Sequence, residues 1–287
     1  MRRSEASHEA GGGGINVARA IHILGGTARA LFTSGGLSGQ RLESLLEAEG
    51  VEIQPVRIAG ETRQSVHVTE SSSGNQFRFV MEGPTLQESE WQAVLDAVLA
   101  LDPVPEFLVA SGTLPPGAPV DFYGTLSVIA AKTGTKLIVD TSGAPLALAA
   151  GEGTFLLKPN LNEMRQLTGG NLFSDVLLEG MARSLVSANR AKVVAVSMGA
   201  AGSFVVWEGG AKRIVAPVVP VVSRVGAGDS MVAGTVLALT RGLPIEEAVR
   251  FGVAAGTAAV MTPGTELCRR EDAERLYDQM RTGGGAA

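Results

Sequence analysis

From residue 88 onward, short apolar strand patterns alternate with helical patterns, and this alternation limits the possible fold more than any other feature of the sequence. Strand patterns cover 107–111, 137–139, 155–157, 193–196 and 203–207, and helical patterns separate most of them. Such alternation favours a mostly parallel sheet that is covered by helices on both faces. Ligands of these sheets bind beyond the carboxyl ends of the strands. The sequence therefore predicts an α/β fold with its site along that edge.

The residues that follow the predicted strands are mostly polar or glycine. They are Ser111, Asp140, Lys158-Pro159-Asn160 and Ser197-Met198-Gly199. Each segment alone is an ordinary turn. Because the carboxyl ends of parallel strands meet at one edge, we expect these residues to line one rim of the sheet.

The first part of the chain has a different pattern of apolar, polar and glycine residues. Gly11–Gly14 run directly into a helical pattern with apolar residues at 15, 17, 18, 21 and 24. Three short alternating segments, 51–58, 63–70 and 76–81, are separated by turn residues and predict a small antiparallel sheet. We expect this sheet to form an insert or lid on the larger α/β unit.

Composition narrows the classes of function. The 287 residues are enough for one large α/β domain or two small ones. The net charge of −5 and the absence of any Lys/Arg block argue against a nucleic-acid surface. No run of about 18 apolar residues predicts a membrane span, and the first ten residues do not resemble a signal peptide. A single cysteine, Cys268, fits a reducing compartment, so we expect a cytoplasmic protein in which this thiol is packed.

The segment VGAGDS at 225–230 places a glycine loop directly before Asp229 and an apolar helical pattern. Free backbone N–H groups at such a helix start favour an anion such as a phosphate. A carboxylate beside them can take a proton from a hydroxyl that attacks a phosphoryl group. The alternative is an N-cap aspartate after a glycine turn, and these six residues alone favour that alternative.

Other rim residues have candidate roles in phosphoryl transfer. Asn160 and Glu163 are three apart at a helix start and can hold Mg²⁺ through its waters, or they can form a capping box. Lys158 can meet a phosphate or be a solvated lysine at a strand end. Arg63, expected on the lid sheet, can clamp a substrate phosphate or be an exposed edge-strand charge.

Several enzyme classes are excluded by missing motifs. The sequence has no Walker-type glycine loop and no protein-kinase motif set. His8, His22 and His67 form no metal-ligand spacing. A Rossmann dehydrogenase is disfavoured because no dinucleotide-binding glycine pattern follows a first strand.

Four segments together resemble the signatures of the PfkB sugar kinases of the ribokinase-like superfamily. They are GGGGINVARAIHILGG from residue 11, KPNLNEM from 158, SMGAAG from 197 and VGAGDSMVAGTVLAL from 225. The resemblance extends from Gly11 to Tyr277 and implies a three-layer α/β/α fold with a mostly parallel central sheet. It further implies one sugar-kinase domain over 1–287, with a lid from about 1–10 and 52–82.

Within the family, the chain looks most like the isozyme 2 branch of the 6-phosphofructokinases. Gly13 stands where fructose-1-phosphate and tagatose-6-phosphate kinases usually have lysine, and FGVAAGTAAVMTPGTELC from residue 251 is also typical of the branch. This implies ATP-dependent phosphorylation of fructose 6-phosphate at its 1-hydroxyl to fructose 1,6-bisphosphate, a step of glycolysis. The alternatives are a 1-phosphofructokinase or tagatose-6-phosphate kinase, and a relative that binds ATP without sugar-dependent turnover.

The resemblance also implies roles for individual residues. Asp229 would be the catalytic base, with an anion hole formed by Gly226, Ala227 and Gly228. The ATP site would be lined by Lys158, Asn160, Ser197, Gly199, Gly202 and Thr257. The sugar phosphate would be contacted by Gly11, Gly12, Gly13, Gly14, Asn16, Arg63 and Ser111. Mg²⁺ would be held by Asn160 and Glu163, and a monovalent cation such as K⁺ by Ser223, Val225 and Gly264. In this branch the lid sheets also pair two subunits into a homodimer.

The chain departs from the family at its start. Relatives begin roughly 25 residues earlier, with a central strand that ends in an Asn-Pro-x-x-Asp-type segment whose Asp binds sugar hydroxyls. Met1 falls inside the first lid strand of that pattern. This predicts either a start codon further upstream or a shortened protein.

Overall fold

The helices surround a central sheet on both sides. A computed structural model describes residues 8–70, 76–151, 153–169 and 174–282. Its helices are α1 (Gly13–Ile23), α2 (Gly36–Ala48), α3 (Glu88–Leu99), α4 (Phe122–Thr133), α5 (Gly143–Ala149), α6 (Leu161–Thr168), α7 (Asp175–Ser187), α8 (Ala227–Thr240), α9 (Ile245–Ala259) and α10 (Arg270–Thr282). Its strands are β1 (Arg29–Ser34), β2 (Glu52–Arg57), β3 (Ser65–Thr69), β4 (Gln76–Val80), β5 (Phe107–Ser111), β6 (Lys136–Asp140), β7 (Thr154–Leu157), β8 (Val193–Ser197), β9 (Ser203–Trp207) and β10 (Gly210–Ile214).

The central sheet has the strand order β10-β9-β8-β7-β6-β5 among the described residues. Strands β5 to β8 run parallel, whereas β9 is antiparallel to β8 and β10 is antiparallel to β9. The predicted mostly parallel sheet is therefore confirmed. The parallel part places the ends of β5, β6, β7 and β8 at one edge, as the sequence predicts for the rim.

Two hydrophobic cores lie on opposite faces of this sheet. Alternate residues of β6 divide between them, since Ile138 packs with α1, α8, α9 and α10, whereas Leu137 and Val139 pack with α3, α4, α6 and α7. The three-layer α/β/α architecture is thus confirmed. Cys268 is buried in the first core, as predicted for a packed thiol, and burial raises its pKa to about 11.

The prediction that the segment 51–58 belongs to the lid is wrong. This segment forms β2, which pairs in parallel with β1 in register from Arg29 with Glu52 to Ser34 with Arg57. The physical reason is that α2 connects the two strands, so the chain returns to run in the same direction. The lid sheet of the described residues is the antiparallel pair β3 and β4. Residues 1–7 of the expected lid lie outside the described residues, and the single-domain boundaries stay a prediction.

Some elements differ from the sequence prediction because their patterns are weak. The short helix α5 and the polar strand β10 were not predicted, since neither has a clear hydrophobic period. The apolar helical pattern after Asp229 forms α8, in which every residue from 230 to 238 is buried because α8 lies against both α1 and α9. Close contact with α9 depends on glycine, since a Cβ on Gly252 would lie 2.1 Å from the Thr235 Oγ1.

Within the described ranges, no helix has both the length and the apolar character needed to cross a membrane.

Candidate active site

The first turn of α8 is built to leave backbone N–H groups free. Gly226 is the N-cap residue and has left-handed backbone angles, with φ 76° and ψ −3°. A Cβ at this position would lie 2.6 Å from the Leu267 Cδ2, so conformation and space both require glycine. The first intrahelical bond is donated by the Ser230 N–H to the Gly226 carbonyl. The N–H groups of Ala227 and Gly228 precede this first intrahelical bond, and groups in that position favour an anion, so this turn is a candidate anion site.

Asp229 lies in this first turn and contacts α1. Asn16 Nδ2 donates to Asp229 Oδ2 at 2.8 Å, across 213 positions of the sequence. The interpretation of Asp229 as an N-cap is wrong, because Gly226 is the N-cap residue and Asp229 is the third residue of α8. The carboxylate is therefore held by a second helix at the position where the anion site begins.

The glycine run before α1 approaches the end of β5 closely. A Cβ on Gly13 would lie 2.5 Å from the Ser111 Oγ and 2.9 Å from the Gly112 N. Gly12, the N-cap residue of α1, has φ 123°, a conformation that side chains disfavour. The structure thus brings Gly13 and Gly14 against Ser111, whereas Gly11 and Gly12 make no such close approach to it.

The turn at Ser111 and Gly112, which contacts this glycine run, is held by hydrogen bonds from two other residues. Tyr123 Oη donates to the Gly112 carbonyl at 3.1 Å, and Thr141 Oγ1 donates to the same oxygen at 2.7 Å. Burial raises the pKa of Tyr123 to about 12, so its hydroxyl stays a donor at neutral pH. These contacts hold Ser111 and Gly112 in place at the rim.

A buried ion pair lies beside the anion site. Lys158 Nζ, after β7, is 2.9 Å from Asp140 Oδ1 at the end of β6, and only 6% of Lys158 is exposed. The ammonium nitrogen lies 3.7 Å from the point that a Cβ on Gly228 would occupy. The interpretation of Lys158 as a solvated lysine is therefore wrong. Its charge adds to the positive end of α8 and makes the site more attractive to phosphate.

Asn160 and Glu163 form the capping box of α6. Asn160 Oδ1 accepts from the N–H groups of Asn162 and Glu163, both at 2.9 Å, and Glu163 Oε2 accepts from the Asn160 N–H at 2.7 Å. The capping interpretation is thus correct for these two side chains. The cap bond to the Asn160 N–H uses one carboxylate oxygen, Oε2, and a carboxylate beside an amide oxygen is a donor set that suits hydrated Mg²⁺. The residues therefore fit a magnesium site as well as a helix cap.

Of the remaining residues predicted to line an ATP site, Ser197, Gly199 and Gly202 lie at the end of β8 and in the turn after it, whereas Thr257 lies in α9. A β-bridge joins Asn160 to Ser197, which places the two predicted residues side by side. Gly199 and Gly202 have φ 57° and 87°, and a Cβ on Gly202 would lie 2.0 Å from the Ile214 carbonyl oxygen. Thr257, in α9, is buried and its hydroxyl donates to the Val253 carbonyl at 2.7 Å.

The three residues predicted to hold a monovalent cation are adjacent. Ser223 Oγ donates to the Gly264 carbonyl at 2.6 Å, and the Val225 N–H donates to Ser223 Oγ at 3.2 Å. Hydroxyl and carbonyl oxygens are suitable cation ligands. Val225 directly precedes the N-cap residue of α8, so a cation held by these three residues would lie near the candidate anion site.

Arg63 lies outside the strand on which it was predicted. Because β3 begins at Ser65, Arg63 is in the loop before the lid sheet. Its Cδ is 3.8 Å from the position of a Cβ on Gly83. Within the described ranges, no hydrogen bond or ion pair joins Arg63 to another predicted site residue. Its role as a phosphate clamp stays a prediction.

Sequence reasoning missed the functional partners of two predicted residues. Asp140 was placed on the rim but not paired with Lys158, although the two follow adjacent parallel strands. Arg19 was not considered, although it is three positions after Asn16 and therefore on the same helical face. In both cases the positions in the sequence were consistent with the contact. The contact itself could be recognised only once the packing of the neighbouring strand or helix was known.

Comparison with known proteins agrees with this geometry. Residues 1–272 match the pfkB family carbohydrate kinases. The ATP-dependent 6-phosphofructokinase isozyme 2 of Escherichia coli (strain K12) is 43% identical over 278 residues, which cover 96% of this chain and 90% of that protein. The enzyme of the same name from Mycobacterium tuberculosis (strain ATCC 25618 / H37Rv) is 41% identical, with 97% and 82% covered. A 1-phosphofructokinase of Borreliella burgdorferi is less similar, at 31% identity over 95% of this chain and 87% of that protein.

Solved structures show the same similarity. The crystal structure of phosphofructokinase-2 from Escherichia coli in complex with potassium superposes with a TM-score of 0.93 at 41% identity, covering 98% of this chain and 91% of that chain. The same enzyme in complex with fructose-6-phosphate superposes with a TM-score of 0.91 at 40% identity, covering 98% and 90%. The chain described here therefore belongs to the pfkB family of carbohydrate kinases.

Proposed function

We propose that this chain transfers the γ-phosphoryl group of ATP to the 1-hydroxyl of fructose 6-phosphate, giving fructose 1,6-bisphosphate and ADP. The observation that carries the proposal is the position of Asp229. Its carboxylate lies in the first turn of α8, where free N–H groups and Lys158 provide positive charge. A base beside an anion site is the arrangement that phosphoryl transfer to an alcohol requires.

In the proposed step, Asp229 accepts the proton of the 1-hydroxyl as that oxygen attacks the γ-phosphorus. The new bond joins the sugar oxygen to phosphorus, and the bond between phosphorus and the bridging β–γ oxygen breaks. Charge that develops on the transferring group is met by the N–H groups of Gly226, Ala227 and Gly228. The electron pair of the broken bond leaves with ADP.

ATP would lie along the rim formed by the ends of β7 and β8. Lys158 would contact phosphate, with Asn160, Ser197, Gly199, Gly202 and Thr257 around the nucleotide. Mg²⁺, held through water by Asn160 and Glu163, would neutralise charge on the phosphate oxygens. A potassium-bound relative supports the further proposal that Ser223, Val225 and Gly264 bind K⁺ next to the entry of α8.

The sugar phosphate would lie between the glycine run and the lid. Gly11–Gly14, Asn16 and Ser111 would line the side of the site that faces Asp229, and Arg63 would approach it from the loop before β3. The choice of fructose 6-phosphate rests on the higher identity to 6-phosphofructokinase isozyme 2 than to the 1-phosphofructokinase.

The lid sheet also supports the proposal of a homodimer. The register pairs Val66 with Phe79 and Val68 with Phe77, so the four side chains share one face. Each of them is between 45% and 56% exposed. An apolar face of this kind marks a surface that another protein covers, and the proposed partner is the lid of a second copy. The cytoplasmic location stays a prediction.

The experiment that tests the function is an ADP-release assay with fructose 6-phosphate, fructose 1-phosphate and tagatose 6-phosphate in parallel. We expect the highest kcat/KM with fructose 6-phosphate, with phosphate added at carbon 1 of the product. A preference for either other sugar would place the chain with a sister specificity. ATP binding without turnover of any of the three would reduce the function to nucleotide binding.

A further inference from the structure

A buried arginine lies behind the candidate base. Arg19, on α1, is 8% exposed and donates in a bidentate manner to Glu49, from Nε to Oε2 at 2.6 Å and from Nη2 to Oε1 at 2.7 Å. Its Nη1 donates to the Ala10 carbonyl at 2.7 Å and lies 3.4 Å from the Asn16 Oδ1. One guanidinium therefore joins the end of α2, the residue before the glycine run, and Asn16.

The two ends of the Asn16 amide face groups of opposite charge. Its oxygen faces the Arg19 guanidinium at 3.4 Å, and its NH₂ group donates to the Asp229 carboxylate at 2.8 Å. The reversed amide would place its oxygen against the carboxylate and its NH₂ against the guanidinium. Both contacts would then be repulsive, so the cation and the anion select the same orientation.

A role in holding α1 against α2 does not account for this arrangement. An apolar pair of similar size would join the helices without the cost of removing a guanidinium from water. It would not orient an amide or bind the Ala10 carbonyl. Only arginine provides a planar group that can donate to both carboxylate oxygens of Glu49 from one edge. Its other edge then faces the Ala10 carbonyl oxygen and the Asn16 Oδ1.

We propose that Arg19 is a positioning residue, which acts through Asn16 to hold the Asp229 carboxylate in place and which fixes the start of the glycine run through Ala10. Glu49 holds the guanidinium in turn. The kinetic part of this inference rests on the proposed function, whereas the structural part does not. Neither residue need touch the reacting atoms, because the chain of contacts from Glu49 to Asp229 passes through Arg19 and Asn16.

A double-mutant cycle tests whether Arg19 acts through Asn16. We expect Arg19→Met to lower kcat about tenfold, the cost of a base that is no longer held in place. In the Asn16→Ala background the same substitution should lower kcat by a clearly smaller factor, about threefold or less, since only its contact with the Ala10 carbonyl remains. Arg19→Lys should recover only part of the loss, because a lysine cannot satisfy Glu49 and the two oxygens together.

The matched control is Arg190→Met, which removes another guanidinium that donates to backbone carbonyls, those of Ala150 and Ala147. It should leave kcat unchanged. Equal losses from Arg19→Met in the two backgrounds would show a merely structural effect and overturn the proposal, as would an unchanged kcat in the Arg19→Met single variant.

A measurement without turnover separates this proposal from the function. In ¹H–¹⁵N spectra of the full chain, the Asn16 side-chain NH₂ signals are identified by their loss in Asn16→Ala. We expect them to shift in both Arg19→Met and Asp229→Asn, and not in Arg190→Met. If Arg19→Met folds but leaves these signals in place, the proposal is wrong whether or not the chain is a kinase. If Arg19→Met does not fold, Glu49→Gln should give a smaller shift of the Asn16 side-chain NH₂ signals. The absence of any shift in Glu49→Gln would then overturn the proposal.

Discussion

Helix α8 and the lid hairpin of β3 and β4 are opposite kinds of structure. Every residue from 230 to 238 in α8 is buried, and glycines at 226, 234, 252 and 256 bring the helix against its neighbours. The hairpin leaves the four apolar side chains of one face about half exposed, and Val80 on its other face as well. Helix α8 is thus fixed from several sides, whereas the hairpin presents an apolar face that is not covered within the described residues.

This difference fits what each region has to do. A base and an anion site act only when they are held within a small distance of the reacting atoms, so a densely packed helix is the appropriate support. A lid must open and close, and a two-stranded sheet without a covered face is only marginally stable by itself. Substitutions in the two regions should therefore have very different effects on activity and stability.

The largest effect is expected from Asp229→Asn. The amide cannot accept the proton of the sugar hydroxyl, so kcat should fall by about 10³-fold. Folding should be nearly unchanged, because asparagine keeps an oxygen that accepts from Asn16. Steady-state kinetics with circular dichroism as the folding control measures both. A kcat within tenfold of the unsubstituted chain would remove Asp229 from the chemistry.

The next largest effect is expected from Gly226→Ala. The added Cβ meets Leu267, and alanine disfavours the left-handed backbone of this position, so the first turn of α8 should shift and kcat should fall about a hundredfold. Gly242→Ala is the matched control, because it has φ 77° with no atom within 4 Å of the added Cβ. It should cost about 1 kcal/mol of stability and little activity. Similar activity losses in both variants would show that the anion site does not depend on this turn.

A smaller effect is expected from Asp140→Asn. It leaves the buried Lys158 without a carboxylate, so the free energy of unfolding should fall by about 2 kcal/mol. MgATP should then raise the melting temperature more than in the unsubstituted chain, because a phosphate replaces the missing anion. Asp175→Asn removes a more exposed pair with Arg213 and should cost less than about 1 kcal/mol. Equal losses of unfolding free energy in Asp140→Asn and Asp175→Asn would mean that the ion pair of Lys158 is an ordinary surface contact.

The smallest effect on folding is expected in the lid. Replacing the cross-strand pair with Val66→Ser and Phe79→Ser should change the stability of a single chain by about 1 kcal/mol or less. Association should nevertheless weaken, as measured by sedimentation, if this face is covered by a second copy. Val176→Ser, which removes an exposed valine of α7, should leave association unchanged. Unaltered association in the lid variant would rule out the proposed homodimer surface.

The sequence predicted the central sheet and most of the site because both follow local patterns. Apolar strand patterns located β5 to β9, and the strand ends located Ser111, Lys158 and Asn160. It did not predict the parallel pairing of β2, because an alternating strand does not reveal the direction of its partner. Contacts such as Asn16 with Asp229 join positions 213 apart and depend on how α1 packs against α8. The role of Arg19 and the pairing of Asp140 with Lys158 were missed for the same reason.

The central claim is that the transferred phosphoryl group lies at the N-terminus of α8. The most direct measurement is the backbone ¹H–¹⁵N spectrum when Mg²⁺, ADP, tetrafluoroaluminate and fructose 6-phosphate are added together, since this mixture mimics the group in transfer. We expect the amide signals of Ala227 and Gly228 to move to lower field, as N–H groups do when they donate to an anion. If the ligands bind and other signals move while these two amides do not, the anion site is not at the N-terminus of α8.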